Sequence, residues 1–353
     1  MPPSLTTILV LAAGWATGDP RVAAGREPYA VACAACHGAD GRGNLEWESA
    51  ERPPDLTDCA TTAERSDHWE AIVAKGGRAF GLSSKMPAYG ETLARDEIGA
   101  TVAYLRTLCS SADRYPPGEL NPRRLLATRK AFPETEVSFA ASYALDETNE
   151  MMLDVGFENR LGKRLQYGVA VPVRPWFAEN GRFPGIGNVE LEIQGVVLQS
   201  PRRGAIAALG FEAEAPTGEI LKDLGEGSWL FKPYAALAWT RRGLAVQAHT
   251  LLALPAKLDR EDRRLEYSFG LSRSFGLPRT GWTPGAEITG VYNLRRRDWR
   301  HAALFELSHP LNRLGHVVGS VGVRVPLARS LLPTRLEAHL LWDFGEGPLW
   351  RGW

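Results

Sequence analysis

The chain has 353 residues, with 41 Lys and Arg balanced by 41 Asp and Glu, so its formal net charge is zero and nothing points to a nucleic-acid partner. After the first residues no stretch reaches about 18 continuous apolar positions, which excludes a transmembrane helix. The balance conceals an asymmetry: residues 19–112 carry 10 basic and 14 acidic side chains, and the remainder is correspondingly basic. An acidic region of this kind favours a basic partner, and a plain solvated surface is the other reading.

In chain order, Leu5 to Ala13 is an apolar run, and Ala16-Thr17-Gly18 supplies small residues before Asp19. Together they predict an export signal over residues 1–18, although no Lys or Arg precedes the apolar run. Asp19 to Gly25 reads as a short polar lead. Glu27 to Cys36 predicts a helix that turns Tyr29 and Val31 toward a core and ends on Cys33-Ala34-Ala35-Cys36-His37. C-x-x-C-H is the covalent attachment site of a c-type haem. Two residues between the cysteines let both thiols reach the porphyrin vinyl groups from one turn of helix, and the adjacent imidazole then points at the iron. A redox C-x-x-C pair is the competing reading. Gly38-Ala39-Asp40-Gly41-Arg42-Gly43 provides the tight exit that clears a porphyrin edge.

With this motif in place, Tyr29 to Cys109 resembles a class I cytochrome c domain, including its C-x-x-C-H-G-x-D-G-x-G signature. The resemblance implies a small all-α domain over residues 19–112 holding one covalent haem c, with His37 as an axial iron ligand and single-electron transfer as its work. Asn44 to Ala60 reads as loop. Within it Arg52-Pro53-Pro54-Asp55-Leu56 resembles the segment beside the proximal histidine, which implies that the Pro54 carbonyl accepts the His37 ring N–H and raises the ligand's basicity. An ordinary turn proline is the alternative. Ser83-Ser84-Lys85-Met86-Pro87-Ala88-Tyr89 carries the expected second axial ligand. Of Met1, Met86, Met151 and Met152, only Met86 lies in this domain once a signal is removed, and Met86-Pro87 matches the family's M-P motif. A thioether opposite imidazole favours Fe(II) and closes the sixth position, as electron transfer requires.

Asp67 to Lys75 predicts a helix opened by a capping box of Asp67 and Glu70 and closed by Gly76-Gly77, with Trp69, Ile72 and Val73 on one face. His68 is expected to be exposed in its first turn; a role as alternative iron ligand is the lesser reading. Arg95 to Cys109 predicts the last helix, with Ile98, Val102, Leu105 and Leu108 as its apolar stripe, Gly99 at a close helix crossing and Tyr104 near the Tyr29 helix. Cys59 and Cys109 remain after haem attachment. An oxidising compartment permits a disulfide between them, and two buried thiols are the alternative.

Prolines and glycines from Ser110 to Phe132 mark a change of regime, and residues 113–134 read as a linker. From Thr135 the apolar period becomes two. Val137, Phe139, Ala141, Tyr143 and Leu145 alternate with small or polar residues, and similar runs recur to Phe344. The pattern predicts about 12 antiparallel strands of roughly 9–12 residues, long enough to cross a bilayer at a tilt. Glu190, Glu192, Glu212, Glu214, Lys232, Glu266 and Glu287 fall on the polar faces and suit a wet lumen. Trp176, Phe177, Trp229, Trp239, Trp282, Trp299 and Trp342 crowd strand ends in the manner of interface girdles. Gly185-Ile186-Gly187-Asn188-Val189-Glu190-Leu191 and Ala215-Pro216-Thr217-Gly218 resemble the porin-like outer-membrane proteins of the phenol-degradation meta-pathway type.

The expected protein is multidomain α + β. A mono-haem cytochrome c is fused to an up-and-down β-barrel over residues 135–345, with a tail over 346–353. Expected partners are outer-membrane lipid and periplasmic redox proteins. The barrel histidines, His249, His301, His309, His316 and His339, are scattered, and no substrate-activating constellation is present, so an electron carrier is favoured over a catalyst. Two alternatives stand beside this: a soluble periplasmic oxidoreductase whose β-domain binds substrate, and a solute pore with an attached cytochrome. A periplasmic haem domain feeding the first strand places the longer connections outside, in particular those after the third, fifth and seventh strands, and the short turns in the periplasm.

Overall fold

The computed structural model describes residues 20–44, 53–58, 64–109, 116–146, 150–175, 184–222, 224–276, 281–312, 315–327 and 333–343. The expected signal over 1–18 and the tail over 346–353 lie outside these residues, as do Trp176 and Phe177. The first domain is helical: α1 (Pro20–Ala32), α2 (Ala34–His37), α3 (Ser66–Lys75) and α4 (Arg95–Leu105). The stretch expected as a polar lead is helix from Pro20, because proline at a helix start has no N–H to leave unpaired. Tyr29 is buried, but Val31 is 81% exposed, since two residues along a helix turn by about 200° and cannot share a face.

α1 packs across α4, and Tyr29 meets Tyr104 with ring centroids 5.3 Å apart. The glycine at the crossing is Gly25, where a Cβ would stand 1.9 Å from the Ala100 carbonyl oxygen; Gly99, expected in that role, faces Glu70 instead. The α3 capping box does not form. Asp67 turns back onto Arg65 at 2.8 Å, and the Ser66 N–H donates to the Glu119 carboxylate at 2.7 Å. His68 is buried rather than exposed, its ring edge-on to Phe80 at 5.5 Å.

The second domain is a closed antiparallel barrel of β1 (Glu136–Ala144), β2 (Met151–Leu161), β3 (Leu165–Arg174), β5 (Val189–Ser200), β6 (Ala205–Ala215), β7 (Leu230–Arg241), β8 (Leu244–Pro255), β9 (Arg264–Arg273), β10 (Thr283–Asn293), β11 (Asp298–Pro310), β12 (Val317–Leu327) and β13 (Arg335–Asp343). The two-residue β4 (Gly185–Ile186) extends the edge of β3. β1 pairs with both β2 and β13, so no strand edge is left open. Connections alternate in length. Residues 162–164, 201–204 and 242–243 turn tightly at one end, while 175–188, 216–229 and 256–263 are longer at the other. The 274–282 connection is longer than its short-turn place predicts, and Phe275 pairs with Trp282 across it. Residues 294–297 are short on the long-loop end.

The barrel is apolar outside. Leu209, Phe211, Phe269, Ile288, Phe305 (60%) and Val321 are exposed, while Gln194, Glu212, Gln247, Ser268, Glu287 and Glu306 are buried facing inward. Closure lets each long strand pair on both sides, and the outward side chains match hydrocarbon, the arrangement a bilayer demands. Exposed Trp229, Trp282 and Trp299 sit at strand ends as the girdle pattern predicts.

The stretch read as a linker joins the two domains by passing through this lumen. Arg124 pairs with Glu158 at 2.6 Å and with Glu136 at 2.8 Å. The Leu126 N–H donates to Glu306 at 2.7 Å and the Ala127 N–H to Glu287 at 2.9 Å. Arg129 reaches Glu192 and Glu212, and its guanidinium lies 4.9 Å from the Tyr234 ring centroid. Leu120 and Phe132 pack with Ile206, Tyr234 and Leu251 of the wall. Carboxylates buried in a barrel need partners. Lys232 supplies some, bridging Glu190, Glu212 and Glu214, and this segment supplies others.

Candidate haem-binding site

Cys33 sits at the break between α1 and α2, so Cys36 and His37 follow it within one turn. Both thiols are unpaired. Burial pushes the Cys33 thiol up to about 11, which keeps it protonated before attachment. Gly38, Gly41 and Gly43 all take positive φ, from 75° to 88°. This left-handed exit is what the glycine run predicts, and it lets the Gly43 N–H fold back to the His37 carbonyl at 2.8 Å.

The His37 Nδ1 is buried without a well-formed hydrogen bond, and the Pro54 carbonyl is the backbone acceptor set against it. Burial lowers its pKa, opposed by that carbonyl, so the ring is held neutral, the form that donates a lone pair to iron.

The segment bearing Met86 is pinned from several sides. The Gly77 N–H donates to the Met86 carbonyl at 3.0 Å, and the Tyr89 and Gly90 N–H groups donate to Val73 and Ala74 of α3. The Tyr89 hydroxyl donates to the Ala32 carbonyl at 2.6 Å, one residue before Cys33. Tyr89 therefore ties the methionine loop to the cysteine helix, and the Tyr29 hydroxyl ties that helix to its exit by donating to the Gly38 carbonyl at 2.6 Å. Sequence reasoning gave neither hydroxyl a role; a tyrosine three residues past Met86 was the available signal. The apolar packing splits in a telling way. Cys33 borders the cluster of Tyr29, Leu56 and Leu105, and Met86 borders a separate cluster of Val73, Ile98 and Val102. Trp69 packs against both clusters and joins the cysteine side to the methionine side. These residues fit a c-type haem.

Glu119 was not singled out by sequence reasoning. Its carboxylate takes the Ser66 N–H and pairs with Arg106 at 3.2 Å, and its carbonyl accepts from Thr240 Oγ1 at 2.5 Å. Thr240 lies beside the 242–243 turn, so the helical domain meets the barrel at the short-turn end. Cys109 is buried; Cys59 lies outside the described residues. Among the described residues no group of three or more His, Cys, Asp or Glu forms a metal site.

A family model described as cytochrome C oxidase, cbb3-type, subunit III matches residues 20–105. Comparison with curated proteins found no match. Three solved structures align at low identity. The KdgM porin in complex with disordered oligogalacturonate has 11% identity and a TM-score of 0.45, over 60% of this chain and 99% of that one. An outer membrane channel from Pseudomonas putida F1 has 15% identity and a TM-score of 0.45, over 64% and 99%. The Salmonella typhi outer membrane phospholipase dimer with bound calcium has 12% identity and a TM-score of 0.40, over 64% and 95%. The barrel assignment rests on its own strand pairing. Residues 20–105 are thus similar to a cytochrome family, and they precede a closed barrel of twelve long antiparallel strands.

Proposed function

We propose that this protein is a mono-haem c-type cytochrome of the outer membrane, with residues 19–112 as a periplasmic electron-transfer domain, 113–134 as the joining segment and 135–345 as its anchor. Cys33 and Cys36 hold the porphyrin as thioethers, His37 and Met86 are the axial ligands, and Pro54 orients His37. Bound haem supplies a one-electron Fe(III)/Fe(II) couple. The chain's own part is to present a neutral imidazole, fill the sixth position with Met86 and hold the two ligand segments together through Tyr89. The observation that carries the reading is the buried His37, its Nδ1 set against the Pro54 carbonyl, beside two free thiols on a domain seated at the short-turn end of an inside-out barrel. The outward apolar face counts against a soluble oxidoreductase, and the occupied lumen counts against a solute pore. Redox partners are periplasmic proteins.

The test is haem-stained membrane fractionation combined with epitope tags near Gly181 and Arg242. Haem stain is expected in the outer-membrane fraction, with the Gly181 tag labelled on intact cells and the Arg242 tag protected. The reverse labelling overturns the orientation. Haem stain confined to the soluble periplasm overturns the anchor.

A further inference from the structure

A cavity of about 920 Å³ opens where the helical domain faces the short-turn end of the barrel. The start of α3 and the joining segment form part of its wall, and the 201–204 and 242–243 turns form another part. These two turns are tied together. The Thr240 N–H donates to the Gly204 carbonyl at 2.7 Å, and a Cβ on Gly204 would stand 2.0 Å from the Thr240 carbonyl oxygen. Arg203 and the Arg241-Arg242 pair are thereby held on one stretch of the wall.

Cations outnumber anions there: nine Lys and Arg residues line the cavity against six Asp and Glu. The carboxylates already have partners. Asp67 holds Arg65 at 2.8 Å, Glu136 holds Arg124 at 2.8 Å, Glu119 holds Arg106 at 3.2 Å, and Glu134 holds Lys130. Glu64 and Asp343 are engaged as well. Arg203, Arg241 and Arg242 are exposed and have no side-chain partner among the described residues. The turn does not call for them. Residues 242 and 243 close a two-residue hairpin at φ 50° and 80°, which Asn-Gly adopts at least cost, yet arginine holds the first place.

A guanidinium matches a carboxylate through two parallel, charge-assisted hydrogen bonds. A single carboxylate would leave two of the three guanidiniums without a partner, so the wall favours an anion that carries several. Carboxylates spaced along a carbon skeleton can reach both turns, whereas inorganic phosphate concentrates its charge at one point. The volume lies in the range of small-molecule sites.

We propose that this cavity binds a small organic polycarboxylate through Arg203, Arg241 and Arg242. The proposal goes beyond electron transfer and depends neither on haem nor on which way the barrel faces.

The test is isothermal titration calorimetry of full-length, haem-loaded protein in an uncharged detergent, with citrate as probe and its trimethyl ester as uncharged control. Citrate is expected to bind and the ester is not. A variant combining Arg203→Gln, Arg241→Gln and Arg242→Asn, the last chosen because Asn tolerates the positive φ, should weaken citrate binding about tenfold or more. The heat-dependent gel shift of the folded barrel should be unchanged. A second variant, Arg203→Lys with Arg241→Lys, keeps the charge but not the paired geometry, and should bind several-fold more weakly than the native chain. Absence of citrate binding, equal binding by the first variant, or equal binding of the ester or of inorganic phosphate overturns the proposal. Should the first variant lose the gel shift, the lysine variant decides alone, and binding as tight as that of the native chain overturns the proposal.

Discussion

In the helical domain the buried apolar side chains form two small clusters, one beside Cys33 and the other beside Met86. In the barrel a larger cluster joins wall residues to Leu120, Ala131 and Phe132 of the chain itself. Each half is a shell around an occupant, but the occupants differ in kind. The helical shell buries the His37 imidazole with only the Pro54 carbonyl set against its Nδ1, and the proposed haem would be its non-polypeptide occupant. The barrel's lumenal carboxylates find Arg124, Arg129 and backbone N–H groups at hand, because their occupant is encoded in the same chain. Dependence on a cofactor and independence of one can therefore be tested separately.

The largest effect is expected from emptying the helical shell. Replacing both Cys33 and Cys36 by Ala should abolish covalent haem staining, while the barrel keeps its heat-dependent gel shift. Loss of the gel shift as well would show that the two shells fold as one unit. The milder Met86→Ala change should retain covalent haem but lose the ferric sulfur-to-iron absorption band and lower the potential, since imidazole then lacks its soft partner. An unchanged ferric spectrum would return His68 to consideration.

Emptying the barrel is the converse. With residues 121–133 replaced by Gly and Ser at equal length, the lumen loses Arg124, Arg129 and Phe132 together. Planar-bilayer recordings should then show an open conductance that the native chain lacks. A native chain that conducts as freely as the replacement would mean that the lumenal segment is no barrier, and the pore reading would move ahead.

The same contrast explains what could be read from the residues alone. C-x-x-C-H carries its expected chemistry in its spacing, and the glycines behind it carry positive φ into the structure. The period of two fixed the strands and their lumenal face, because an inside-out barrel and its alternation are one fact. The lumenal passage of residues 116–134 was hidden because prolines and glycines signal where regular structure stops, not where the chain then goes. A signal did exist: Arg123, Arg124, Arg129 and Lys130 stand in one short stretch, ahead of strands rich in inward glutamates. Gly25 was missed, and Gly99 chosen, because helical periodicity does not say which turn meets the neighbouring backbone. Glu119 was invisible for a further reason. A carboxylate that caps a helix 53 residues earlier leaves no local pattern.

The smallest effect concerns a link inside the helical shell. We expect Cys59 and Cys109 to form a disulfide, closing a loop of about 50 residues, for which the loop-entropy estimate is roughly 4 kcal/mol before strain. The measured contribution should fall below that figure. Structure that persists in the denatured chain subtracts from it. Cys109→Ala should therefore lower the denaturant midpoint of the haem spectrum modestly and leave the folded spectrum as it was. Alkylation of the unreduced, unfolded protein should find neither Cys59 nor Cys109 free. Finding both thiols labelled would reject the link, and the haem would then be the only covalent constraint on its shell.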